Sequence, residues 1–212
     1  MPSLNQRLGT SRYDADQAYS RALAAFRRGE KAEAIAAMDE AIALLPTRSE
    51  YFAARGFFHL ENDAATPARA DFEHALRLFS VEVLALYGMG VLAYRAGETE
   101  AAIGHFRRAH FADPKRPELL VWLALAQLQV RQFAAATEAM TRAHTLFEAA
   151  GDRRKAETAR WLREIGRAAG RAGRPVAVPL LADEGAVPPD LPPPLPGLGP
   201  PPAPGQPQPA DE

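Results

Sequence analysis

The residues best suited to chemistry in this chain are a pair of glycines and a scatter of histidines. Gly88-Met89-Gly90-Val91-Leu92-Ala93 fits the spacing G-x-G-x-x-A, in which bare backbone amides cradle the pyrophosphate of a dinucleotide. That chemistry needs a strand before the glycines and a helix N-terminus after them. The five histidines are His59, His74, His105, His110 and His144, with no pair at i, i+4 and no H-E-x-x-H. They therefore do not make a helical zinc site. No G-x-S-x-G elbow and no lysine-bearing phosphate loop occurs, and the carboxylates fall at ordinary surface spacing. The chain has no cysteine, which excludes thiolate nucleophiles, thiolate ligands and disulfides together. These residues predict a protein that is not an enzyme and that uses neither cofactor nor metal.

The elements that position such residues follow from composition and period. The 212 residues carry a net charge of −1, which gives no general pull toward nucleic acid or anionic membrane. Leu119 to Val130 is the longest apolar-looking run, contains two glutamines, and is too short to span a bilayer. The N-terminal residues lack a cationic patch followed by an apolar run, so no secretory signal is read there, and a cytoplasmic protein without a membrane partner is expected. Composition breaks near Arg174. Residues 175–212 hold fourteen of the nineteen prolines, five acids and no Lys or Arg. Residues 174–212 are accordingly read as a disordered, partly polyproline-II tail, because so few bulky apolar groups cannot repay the entropy of ordering. The first 174 residues carry +4.

The chain repeats itself every 34 residues. Three columns hold only small residues: Ala22, Gly56, Gly90, Ala124; then Ala34, Ala68, Ala102, Ala136; then Ala41, Ala75, Ala109, Ala143. A fourth column is always large: Met38, Phe72, Phe106, Met140. Helix axes approach to about 8–10 Å only where facing side chains are small. The small columns therefore mark contacts between paired antiparallel helices of about fourteen residues, roughly 20 Å long, with Met or Phe filling the gap beside them. Gly29 and Gly97 are expected to end first helices. Thr66-Pro67 reads as an N-cap followed by proline at the first helical position. Pro46 and Pro114 close second helices. Gly90, lying in a small column, is then a packing residue inside a helix and not part of a phosphate loop. Gly88 has no role that the period explains.

The period, the small positions, the bulky residue of the second helix and the two closing prolines resemble the tetratricopeptide repeat, in four copies over about residues 15–148. The family's early tryptophan is missing; Ala18, Phe52, Leu86 and Leu120 stand there, and Ser80 and Glu148 replace two of the closing prolines. The resemblance implies an all-α, right-handed solenoid, with repeats at about 14–47, 48–81, 82–115 and 116–150. Residues 1–13 lack periodicity and are expected to be loose or a partial cap. Residues 151–173 are expected to add a capping helix, from Asp152 to roughly Ala169. Its apolar side would be Trp161, Leu162, Ile165 and Ala169, and its other side Arg153, Arg154, Arg160, Arg163 and Arg167, with Arg171 and Arg174 beyond.

The resemblance also implies that first helices line a concave groove. Carried over column by column, it places Tyr19, Leu23, Phe26, Phe57, Leu60, Leu84, Tyr87, Val91, Tyr94, Val121, Leu125 and Leu128 there, with Asp16, Glu50 and Glu118 at its edge and no clamp of basic residues. The expected function is a protein-interaction scaffold that takes a protein partner, an apolar peptide or helix, in a groove roughly 35–40 Å long, room for about ten extended residues. Two alternatives stand beside it. The tail segment Leu191-Pro192-Pro193-Pro194-Leu195-Pro196 could fill the groove in cis or in a neighbouring copy, a form of self-association. The arginine helix could contact nucleic acid or another anion, a reading ranked behind the first, or attract the chain's own acidic tail.

Overall fold

The computed structural model describes residues 4–171, and every described element is a helix: α1 (Leu4–Arg27), α2 (Lys31–Leu44), α3 (Ser49–Leu60), α4 (Ala65–Leu78), α5 (Val83–Arg95), α6 (Thr99–Ala112), α7 (Pro117–Gln129), α8 (Phe133–Ala149) and α9 (Lys155–Arg171). The tail, with Leu191–Pro196, lies outside the described residues. The first eight helices pack in sequential pairs, and each second helix leans on the first helix of the next pair: α2 on α3, α4 on α5, α6 on α7. This is an all-α repeat solenoid.

Burial separates the two kinds of helix. The outer ones bury a single stripe, as in Ala34, Ala37, Met38 and Ala41 on α2 or Ala102, Ile103, Phe106 and Ala109 on α6. Of the inner ones, α3, α5 and α7 are covered nearly all round, while α1 at the end of the stack keeps an exposed side: every residue of α5 from Ala85 to Ala93 is buried, and on α7 every residue from Glu118 to Gln127. That difference is written in the sequence, since α5 and α7 carry apolar groups on all sides and the outer helices on one.

The turn inside each pair is the same device four times. Gly29, Asp63, Gly97 and Arg131 stand 34 residues apart with φ of 80°, 53°, 76° and 61°. The residue after each donates its amide back to a carbonyl five residues earlier: Glu30 to Ala25 at 3.0 Å, Ala64 to His59 at 2.9 Å, Glu98 to Ala93 at 2.9 Å and Gln132 to Gln127 at 2.9 Å. A left-handed residue closing a helix in this way satisfies carbonyls that would otherwise be orphaned. Those same four residues are the N-caps of the second helices, and none uses its side chain.

Three local expectations are corrected. Thr66 is not an N-cap: the turn at Asp63 starts α4 at Ala65, so Thr66 and Pro67 sit in its first turn, where a missing amide hydrogen costs nothing. Of the two expectations for residues 1–13, loose or a partial cap, the first is overturned: from Leu4 onward they belong to α1, which extends the first helix by more than two turns. On α9 the buried stripe is Thr158 and Ile165 with Trp161, Leu162 and Ala168 half-buried, while Ala169 is exposed.

Candidate functional site

Gly88 and Gly90 both lie inside α5, and neither meets a strand or a helix N-terminus. Each is the seat of a ring. A Cβ on Gly90 would stand 2.5 Å from Phe106 Cε1, across its own helix pair. A Cβ on Gly88 would crowd Phe72, which comes from the preceding pair and also fills the space at Gly56. The dinucleotide reading therefore fails on context, and Gly88 gains a role between repeats. Among the described residues no group of three or more His, Cys, Asp or Glu is placed to hold a metal ion. No described helix is long and apolar enough to cross a membrane.

The twelve residues carried to the groove separate by burial. Tyr19, Leu23, Phe57, Leu60, Tyr87, Val91, Val121 and Leu125 are at most 5% exposed. They are core in this chain. Tyr87 shows why: its ring lies 6.0 Å from Trp122 and 6.3 Å from Phe106. Burial lifts its phenol well above the usual range and pushes the Tyr19 phenol up to about 12, with Glu50 and Glu82 adding to the shift. Both stay neutral near pH 7 and supply no general base.

Phe26, Leu84, Tyr94 and Leu128 remain half-buried. Phe26, Tyr94 and Leu128 occupy one repeat position, near the end of their first helices, and Leu60 is the buried fourth member of that column. Phe26 is held by Phe58, stacked at 4.6 Å, and by Phe57 edge-on at 5.7 Å. Tyr94 stands edge-on to Trp122 at 5.6 Å. The side chains are thus fixed by packing on one side and open on the other, which lowers the entropy lost when another surface covers them.

Glu50, Glu82 and Glu118 lie at the N-terminal ends of α3, α5 and α7, and Asp16 lies midway along α1. Tyr51 donates its hydroxyl to Asp16 at 2.9 Å, Ser49 donates to Glu82 at 3.0 Å, and Arg48 pairs with Glu50. Burial raises the Glu82 carboxyl above the ordinary carboxylate range, with Glu50 adding to it. Glu118 is not open edge: it is buried and bridged by Arg154 at 2.6 Å. Arg154 also pairs with Asp152 at 2.7 Å and lies 4.5 Å over the Phe147 ring. It ties α9 to α7 and α8 and does not belong to an outward arginine face. A guanidinium and a carboxylate 36 residues apart carry no periodic signal, so sequence reading could not pair them.

Several open apolar side chains on the outer helices lay outside the sequence reading. Phe79 and Phe111, at the ends of outer helices α4 and α6, are 52% and 86% exposed, and Leu78, Val81 and Leu146 are also open. Their only signal in the sequence is an apolar residue off the buried stripe of an outer helix.

Residues 10–49 and 66–117 match the sequence profile of the tetratricopeptide repeat. A curated relative, anaphase-promoting complex subunit 3 of Schizosaccharomyces pombe, is 25% identical over 119 residues, 56% of this chain and 18% of the relative. The chain thus spans less than a fifth of that protein. Among solved structures, the Cut9–Hcn1 hetero-tetramer of the anaphase-promoting complex aligns at a TM-score of 0.62 with 19% identity, over 73% of this chain and 29% of that one. The Pseudomonas aeruginosa pilF structure aligns at 0.57 with 20% identity, over 75% and 78% of the two chains. The tetratricopeptide domain of Arabidopsis OM64 aligns at 0.51 with 20% identity, over 57% of this chain and 98% of that one. At these identities the likeness is one of fold.

Proposed function

Because this chain belongs to the tetratricopeptide-repeat family, whose members are generally interaction scaffolds, we propose that it is a non-enzymatic adaptor that receives an apolar segment of another protein. The segment lies along Phe26, Tyr94 and Leu128, with Leu84 beside them. The observation that carries this reading is the alignment of those half-buried side chains in one repeat column, each braced from behind. Rigid aromatic groups at such a position supply large contact area at small entropic cost. The eight buried members of the original twelve act as the wall that holds them.

A second reading rests on Phe111 and Phe79, the most exposed large apolar groups on the outer helices. Phe111, at 86% exposed, is an unusually open aromatic side chain and offers a large contact area to another protein.

One experiment separates the two. Partners recovered with the intact chain are compared by quantitative mass spectrometry with those recovered by Tyr94→Ser/Leu128→Ser and by Phe79→Ser/Phe111→Ser, each checked for native helicity. Loss in the first variant with retention in the second supports the inner column. The reverse pattern assigns binding to Phe79 and Phe111 and ends the first reading.

A further inference from the structure

The positive charge of the folded part is gathered at its C-terminal end. Residues 1–151 carry −1, residues 152–174 carry +5 and residues 175–212 carry −5. Helix α9 spends one side on α8, through Thr158, Trp161, Leu162 and Ile165. Arg160, Arg163, Arg167 and Arg171 lie on the other side and are exposed, at the spacing that places them on one face of a helix. Arg167 pairs with Glu164 at 2.7 Å. Arg163 and Arg171 have no ion-pair partner among the described residues.

The acids that would complement this face follow directly in the chain. Asp183, Glu184 and Asp190 come within twenty residues of the end of α9, in a stretch with no Lys or Arg. Asp183 is twelve residues on from Arg171. In an extended proline-rich conformation that stretch reaches about 37 Å, whereas the seventeen residues of α9 measure about 25 Å. A strand leaving the end of α9 and turning back can therefore lay its acids beside any arginine on the helix. Tethering holds them there at an effective concentration on the order of millimolar.

We propose that the arginine face of α9 is the docking surface for the chain's own acidic segment, residues 183–190, folded back along the helix. This is independent of what the inner column binds. Docked, the segment covers the arginines and shields them from other polyanions.

The test uses the full chain. Ala186→Cys gives a unique attachment point in a protein without cysteine, and a nitroxide there broadens nearby amide signals. The amides of residues 153–163, at the far end of the helix from the tether, should lose more than half their intensity at about 0.02 M salt. They should recover at about 0.5 M, where screening shrinks to a few ångströms. Arg163→Gln with Arg171→Gln should relieve the broadening at low salt. Broadening confined to the last turn of α9 and unchanged by salt overturns the proposal, as does broadening centred on Tyr94 and Leu128. So does broadening that appears equally when the nitroxide is carried by a different copy of the chain. Polyuridylate that binds the full chain through Arg163 and Arg171 no more tightly when Asp183, Glu184 and Asp190 are neutralised would show that the segment does not cover the arginines and end it.

Discussion

Gly88 on α5 is the seat of Phe72 on α4: a Cβ at Gly88 would fall well inside 3.0 Å of three Phe72 ring carbons. On its other side the same ring fills the space at Gly56, where a Cβ would stand 2.8 Å away. Phe72 is a wedge held between its own first helix and the next, so it cannot retreat from either. Gly88→Ala should therefore lose about 1–3 kcal/mol to overpacking, against a gain of about 1 kcal/mol in helix propensity. Gly104, on α6, has nothing within 4 Å of its Cβ position, and Gly104→Ala should gain about 0.5–1 kcal/mol. Urea unfolding of both variants checks the pair, and a stabilised Gly88→Ala would contradict the wedge.

Arg131 occupies a turn position that glycine fills in two of the other three repeats, at a φ of 61°. A side chain there crowds its own carbonyl and costs about 1–2 kcal/mol. Arg131→Gly should raise stability by about 1 kcal/mol, somewhat reduced by greater freedom of the unfolded chain. Gly97→Ala, at a φ of 76°, should lower it. Thermal and urea midpoints of the two variants should move in opposite directions.

Arg55 joins three helices. It meets Asp71 on α4 through two bonds of 2.6 and 2.8 Å and Asp39 on α2 at 2.6 Å. Those carboxylates hold its guanidinium even more firmly charged than usual. Asp71 is buried, so Asp71→Ala strands a partly buried cation and should cost about 3 kcal/mol, the low end for a broken buried pair. Arg21 and Glu40, more than half exposed, pair at 2.5 Å. Glu40→Ala should cost less than about 1 kcal/mol. Equal losses in the two variants would show that Arg55 is no more than a surface contact.

Glu82 should make stability depend on pH in the direction opposite to a salt-bridged carboxylate. Burial raises its pKa in the fold, so the native state binds a proton more readily than the unfolded chain. Stability contributed by this group falls as pH rises from the ordinary carboxylate value through the folded one. Glu82→Gln should be more stable than the wild type at pH 7, and the difference should close below about pH 4. Denaturant titrations across that range measure it; a gap that widens toward acid would reverse the assignment.

The period made much of this fold legible, because a contact repeated four times leaves a column. Ala22, Gly56, Gly90 and Ala124 carry the helix pairing, and Gly29 and Gly97 the turns. What the columns could not carry is whatever occurs once. Phe72 against Gly88 is specific to one junction, Arg154 against Glu118 to one end, and Leu4–Tyr13 has no repeat to be compared with. The groove positions were legible as positions, but not their exposure. Tyr87 and Tyr94 are seven residues apart on the same helix; Trp122 packs on both rings, Phe106 meets that of Tyr87, and the first is closed over while the second stays half-buried.

On the proposed reading the inner column, and not Phe79 or Phe111, meets the partner. A photo-crosslinking benzoylphenylalanine placed at position 94 or at position 111 of the intact chain reports contact directly. Tyr94→benzoylphenylalanine should give a covalent adduct with another protein and Phe111→benzoylphenylalanine none. An adduct from position 111 alone would contradict it.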